Sequence, residues 1–318
     1  MKIGFIGLGN VGRKLAGSLL RNGLDLTVRD LKPEIAEPLM AQGAKWGESP
    51  RSMMEDSDML ITCLPNPAVS AKVMEDEDGI LKGISQGKVW AEMSTTDEME
   101  VKRLGKLVKK FGGESVDCPV SGGCHRAATG NISIFVGGER STFEKILPIL
   151  KFMGRSILHT GELGSASTLK VMTNFLATAN LVSLCEALTT AKMSGMDLKT
   201  TYEAIRISSG NSFVHETESQ VILNGSRDIN FTMDLVLKDI SLFQSIADRA
   251  EVPLELSPIL IDIFKDGERR YGSREWSSNI IRRLEDACKT KILASGFPDQ
   301  MVDNEPEEKG KEVVVGNQ

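Results

Sequence analysis

The residues best suited to chemistry are Gly7-Leu8-Gly9-Asn10-Val11-Gly12, a G-x-G-x-x-G turn. An apolar run at 2–6 precedes it and an amphipathic stretch at about 11–21 follows, so it reads as strand, turn and helix. Gly7 permits the tight turn, Gly9 lets backbone approach a diphosphate, and Gly12 lets helix pack close to strand. The helix N-terminus offers N–H groups and a positive dipole end to the phosphates. An acid, Asp30, stands roughly 20 residues beyond the turn, at the end of a second β-like run. A carboxylate there hydrogen-bonds the ribose hydroxyls and repels a 2′-phosphate, which favours NAD over NADP. Arg29 and Lys32 are nearby cations that act against this preference.

A second constellation is Asp117-Cys118-Pro119-Val120-Ser121-Gly122-Gly123. Ser121 followed by Gly122 and Gly123 can turn one hydroxyl and consecutive backbone N–H groups toward a single anion. A substrate carboxylate is the natural occupant. Lys170 and Asn174 lie four residues apart in a helical stretch and so share one of its faces. On spacing alone, a lysine so placed is ordinarily a solvated face residue.

These groups need a scaffold. Up to about residue 160, short β-like runs alternate with helical stretches. The runs are 26–29, 58–64, 88–92, 115–118, 132–136 and 156–159. The helical stretches include 33–42, 67–75 and 97–111. Such alternation specifies an α/β fold, a Rossmann-type doubly wound parallel sheet. The period then changes to helical over 166–194, about 28 residues or ~42 Å. Gly195 stops it and Asp197 caps the next helix. Everything after it to about residue 293 reads as helical, giving an all-α C-terminal domain. The expected domains are a dinucleotide-binding domain at 1–162, a helical substrate and dimerisation domain at 163–294, and a disordered, acidic tail at 295–318.

With 318 residues, 41% hydrophobic and 26% charged, the chain can bury the cores of two domains. A net charge of −6 gives no footprint for nucleic acid. The first strand begins at residue 2, which leaves no room for a signal peptide. No apolar run approaches the ~18 residues of a bilayer span, so no membrane partner is expected. The five cysteines and three histidines fall in no metal-binding spacing. Reduced thiols, no metal and a cytoplasmic location are the expectation.

Residues 1–292 resemble the β-hydroxyacid dehydrogenases, the group of 3-hydroxyisobutyrate dehydrogenase, tartronate semialdehyde reductase and the short glyoxylate/succinic semialdehyde reductases. Separated motifs in the same order carry the resemblance: the opening through Gly12, Leu64-Pro65-Asn66, Glu92-Met93-Ser94-Thr95, the Asp117 to Gly123 loop with Ala127 and Gly130, the stretch from Gly164 to Asn174, and Phe231 with Leu237-Lys238-Asp239. The resemblance implies that Leu64 and Pro65 contact the cofactor and that Thr95 and Phe231 lie by the nicotinamide. It places Lys238 near the cofactor and Asp239 near the active site. It makes Ser121, Gly122 and Gly123 the substrate-carboxylate loop and Lys170 the acid/base, with Asn174 helping to hold Lys170 and substrate. The chain departs from the family at Glu92 (usually Asp), Arg126 (usually Gly), Asn131 (usually Thr), Ala166 (usually Gly) and Thr173 (usually Asn). Arg126 could read a second acidic group on the substrate or point into solvent. Relatives that prefer the phosphorylated cofactor usually have Asn then Arg where Asp30 and Leu31 stand.

The resemblance implies an NAD-dependent enzyme that interconverts a small 3- or 4-hydroxy acid and its semialdehyde. Its site would be formed by the cofactor lobe and the helical lobe together. Two other readings are a catalytically weak NAD(P)-binding sensor of the same fold and an enzyme of phosphorylated sugar acids. The chain is short for the second, and only Arg126 hints at a phosphate clamp. Apolar stripes in the helical lobe suggest a homodimer or homotetramer.

Overall fold

The computed structural model describes residues 1–316. Contacts divide the chain into two units, one of Met1–Lys170 with the segment from Asp303 onward, the other of Val171–Val302.

The first unit starts with β1 (Ile3–Ile6), α1 (Gly12–Arg21) and β2 (Leu26–Arg29). A 3-10 turn (Pro33–Ile35) and the one-turn α2 (Glu37–Met40) follow, where the sequence suggests one helix over 33–42. Pro38 lacks the N–H that a continuous helix would need there. Then come β3 (Lys45–Trp46), α3 (Pro50–Asp56), β4 (Met59–Thr62), α4 (Pro67–Glu75), α5 (Ile80–Gly83), β5 (Val89–Glu92) and α6 (Glu98–Lys110). Ser49, Asn66 and Asp97 cap α3, α4 and α6 through their side-chain oxygens. The unit continues with β6 (Glu114–Asp117), β7 (Val120–Ser121), α7 (Gly123–Thr129), β8 (Ile132–Gly137), α8 (Arg140–Leu150) and β9 (Gly154–Gly161). It ends in the first turns of α9 (Ser165–Met193), and β10 (Lys311–Glu312) returns to it from the C-terminus.

One sheet runs in the order β10-β9-β8-β6-β5-β4-β1-β2-β3, with β7 paired to β8. From β3 to β6 it is parallel and has the doubly wound order 3-2-1-4-5-6. β8 is antiparallel to β6, which departs from the all-parallel expectation. Strands buried on both faces need apolar side chains at successive positions. Phe5, Ile61 and Ala91 join one core, while Ile6, Leu60 and Trp90 join another.

The second unit holds the rest of α9, then α10 (Leu198–Arg206), α11 (Phe213–Asn224), α12 (Met233–Arg249), α13 (Leu256–Tyr271), a 3-10 turn (Ser277–Ile281) and α14 (Arg282–Cys288). Leu188, Ile222, Ile240 and Phe264 lie in its core. Regular helix stops at Cys288 rather than near 293, because Lys289 takes a left-handed conformation (φ 49°). By length and composition, α9 is long and apolar enough to cross a membrane. A helix that serves the core of a globular unit passes the same test, and Leu181, Leu184 and Leu188 of α9 lie in the core of the second unit.

Over 303–316 the chain is not the disordered tail that its composition suggests. Gly310 N donates to Lys151 O at 2.9 Å, β10 pairs in parallel with β9, and Val313 N donates to Ile157 O at 2.7 Å. Composition counts apolar area, whereas this segment is held by ion pairs and a strand edge.

Asp117 explains why the start of α9 belongs with the first unit. Its carboxylate accepts hydrogen bonds from Gly164 N (2.7 Å), Ser167 N (2.6 Å) and Ser167 Oγ (2.8 Å). It therefore satisfies N–H groups at the helix start that have no partner within the helix. Burial pushes the Asp117 carboxyl up, and these donated bonds oppose the shift.

Two predictions follow from this packing. A Cβ on Gly12 would lie 2.0 Å from Gly7 O, whereas one on Gly9 meets nothing within 4 Å. Gly12→Ala is expected to lose about 1–3 kcal/mol of stability, while Gly9→Ala melts like wild type and loses dinucleotide affinity. Melting curves and a fluorescence titration check this pair, and equal melting of both variants would contradict it. Asp117→Ala is expected to cost about 1–3 kcal/mol in chemical denaturation by leaving buried donors unpaired; an unchanged midpoint would refute its role.

Candidate active site

In the first unit, register builds the site. Ile6 is level with Arg29 and with Thr62, Thr62 with Glu92, and Glu92 with Asp117. Five parallel strands therefore end along one line, and the next residues emerge from the same sheet edge. Ligands of open α/β sheets bind at this carboxyl edge, where strand order reverses. That reversal falls between β1 and β4. The glycine turn leaves β1, Asp30 leaves β2, Leu64 and Pro65 follow β4, and Thr95 follows β5. The first-unit cofactor residues named from sequence are thus brought together.

Gly7 is left-handed at φ +97°, and a Cβ there would meet Cys63 O at 2.2 Å. The turn reaches α1 with no side-chain cap and no acid in its first turn. Its positive end is left for an anion. The open space over Gly9 allows the backbone approach that a diphosphate needs. Leu8, Asn10 and Val11 complete the turn. Asp30 Oδ2 accepts from Leu8 N at 2.7 Å, which fixes the acid against the turn and keeps further acceptor capacity for hydroxyls. These features fit a dinucleotide.

The β4 loop is held from beneath. Leu64 N donates to Ser94 Oγ at 2.7 Å, and the Ser94 hydroxyl donates to Glu92 Oε1. Ser94 N donates to the same oxygen at 2.9 Å. Glu92 is fully buried, and burial raises its pKa. Ser94 is therefore a link between two loops and not a helix cap; Asp97 caps the helix. The sequence motif names these residues, but their chain of bonds is a three-dimensional fact.

The loop after β6 has the conformation its glycines permit. Gly122 and Gly123 have φ of +127° and +85°, and α7 starts directly after them. Ser121 ends β7, level with Ser133 of β8. Gly130 ends α7 in the left-handed conformation. The Arg126 stem packs over Gly122: a Cβ there would lie 3.3 Å from Arg126 Cδ. The acidic group near its guanidinium belongs to the chain itself, since Arg126 Nη2 lies 3.0 Å from Glu305 Oε1. Burial, then the Arg126 charge, lowers the pKa of His125. Burial pushes the Cys118 thiol up and keeps it protonated.

Lys170 sits in the second turn of α9, just past the anchor at Asp117, and is only 7% exposed. It is thus no solvated face residue. In the second unit, Asn174 Nδ2 donates to Asp239 Oδ2, and Lys238 Nζ lies 2.8 Å from Asp239 Oδ1. Asp239 is buried. Asn174, Lys238 and Asp239 therefore form one network. Phe231 packs against the core of that unit, and its carbonyl accepts from Ser277 N. Among the described residues, no group of three or more His, Cys, Asp or Glu is placed to hold a metal.

Comparison with known proteins agrees with this architecture. Residues 2–161 match the NAD binding domain of 6-phosphogluconate dehydrogenase, and residues 164–284 match the NAD-binding domain of NADP-dependent 3-hydroxyisobutyrate dehydrogenase. The chain is 34% identical over 297 residues to 2-(hydroxymethyl)glutarate dehydrogenase of Eubacterium barkeri, covering 93% of this chain and 98% of that one. It is 31% identical over 284 residues to mitochondrial 3-hydroxyisobutyrate dehydrogenase of Rattus norvegicus, covering 87% and 85%. The crystal structure of 3-hydroxyisobutyrate dehydrogenase from Salmonella typhimurium matches with a TM-score of 0.81 at 26% identity, covering 89% of this chain and 99% of that one. With a dinucleotide turn on a doubly wound sheet and a helical second unit, the chain belongs to the 3-hydroxyisobutyrate dehydrogenase family of NAD(P)-binding hydroxyacid dehydrogenases.

Proposed function

We propose that the protein interconverts a small 3- or 4-hydroxy acid and its semialdehyde, with NAD as the preferred cofactor and Lys170 as general acid/base. The observation that carries this reading is the burial of Lys170 one turn past a helix start locked by Asp117. A nicotinamide cofactor, which the 7–12 turn and Asp30 would hold, would supply the hydride acceptor. The chain's own work is to place the substrate and move its proton. Ser121 and the left-handed Gly122 and Gly123 hold the substrate carboxylate through a hydroxyl and backbone N–H groups. In oxidation, the substrate hydroxyl donates its proton to the neutral Lys170 amine; in reduction, the ammonium returns it. Asn174 lies one turn beyond Lys170 on the same helix and is oriented by Asp239. Relatives named for 2-(hydroxymethyl)glutarate and 3-hydroxyisobutyrate support a carboxylate bearing a nearby hydroxyl.

Asp30 supports NAD. It carries negative charge where a 2′-phosphate would sit, and it is fixed by Leu8 N.

The test is a panel of 3-hydroxyisobutyrate, 3-hydroxypropionate, glycerate and 4-hydroxybutyrate with NAD and NADP, read by absorbance of the reduced cofactor. Lys170→Ala is expected to lose ~10²–10⁴ in kcat and to bind NAD as before. Turnover close to wild type in that variant would remove Lys170 from the mechanism. The ratio of kcat/KM is expected to favour NAD, and Asp30→Asn is expected to narrow it. Equal kcat/KM for the two cofactors in wild type would defeat the assignment to Asp30.

A further inference from the structure

We propose that the C-terminal segment is a strap that positions the substrate loop, with Asp303 and Glu305 as positioning residues acting through Arg126, Thr129 and Asn131. This rests on the reading that residues 121–123 bind the substrate carboxylate.

The two ends of α7 do different things. Its N-terminal end is the Gly122-Gly123 turn. Its C-terminal half is clasped by the strap. The Thr129 hydroxyl donates to Asp303 Oδ2, and Asn131 Nδ2 donates to Asp303 Oδ2 at 2.7 Å and to Glu305 O at 3.0 Å. Glu305 reaches Arg126 at 3.0 Å and also pairs with Arg155 at the start of β9. One carboxylate thus ties α7 to the sheet. Seven residues make a helix of barely two turns, too short to be stable unaided. The Arg126 stem lies against Gly122, so a guanidinium fixed by Glu305 also fixes the side chain covering the turn.

Three observations make the strap a built feature. Asn131 is 2% exposed, so its amide is committed to the strap rather than to solvent. Gly310 is required, because a Cβ there would lie 1.9 Å from Gly154 O. The strap also lies outside both matched family regions, which end at residue 284. Arg126 and Asn131 both face the strap.

The test uses the full chain. One variant combines Asp303→Asn with Glu305→Gln, and a second, Gly310→Val, displaces the strap without touching a charge. Hydrogen exchange of the 303–316 amides reports whether the strap has left. In both variants, exchange at 123–131 is expected to speed up, and KM for the hydroxy acid to rise about tenfold, as loss of a charge-assisted bond implies. The kcat is expected to stay within about twofold, the pattern of lost binding rather than lost chemistry, with NAD affinity unchanged. The proposal is overturned if α7 exchange or KM stays at the wild-type value in the charge variant, or in Gly310→Val once the strap has left. A lower KM would overturn it too, since the strap would then be screening Arg126 from the substrate. Exchange does not depend on turnover, so it decides the strap even where the substrate reading fails.

Discussion

A single buried carboxylate ties the sheet to the helix that carries the acid/base candidate. Asp117 ends β6 and receives three hydrogen bonds from the turn and first residues of α9. Lys170 follows Ser167 by three residues, so its Cα is fixed relative to that anchor by helix geometry alone. A catalytic group has to be held to within about 0.5 Å by its surroundings. A flexible linker from sheet to helix could not do this, whereas a charge-assisted clamp at the helix start does.

The same logic orders the rest of the sheet edge. Parallel register brings the ends of β1, β2, β4, β5 and β6 level, but it leaves the loops beyond them free to move. Each loop then has its own tether: Asp30 to the Leu8 amide, Ser94 to the Leu64 amide, Glu92 beneath Ser94, and the strap on α7. Two of these four tethers, Asp30 to Leu8 N and Ser94 to Leu64 N, are side chain to backbone. They fix loop position without constraining which residues project toward a ligand.

How much of this was legible in the sequence depended on the range of the interaction. Glycine spacing, strand alternation and the long helix are local, and each appeared where its residues predicted. The pair Lys170 and Asn174 could be placed on one helix face by counting. The burial of Lys170 could not, since counting along a helix does not say which of its faces is covered. Asp117 looked like one letter of a loop motif, because its three donors lie some fifty residues away. Pro38 was a readable breaker inside the stretch expected to be one helix. The C-terminal segment misled for a physical reason: its acidic, apolar-poor composition resembles that of unfolded chains, yet its partners are arginines and a sheet edge. Arg126 and Asn131 were visible as odd residues, but nothing local says what they face.

The placement of β10 bears on solubility. At one border of the sheet stands β3, two residues long, with Lys45 exposed on it. At the other stands β9, eight residues long, with β10 laid along part of it. Unpaired strand edges are templates for joining sheets of separate molecules, and short or charged borders prevent this. A molecule that lost the segment beyond residue 302 would uncover the long border while keeping both cores, whose last member is Phe297. Its hazard would be self-association rather than unfolding.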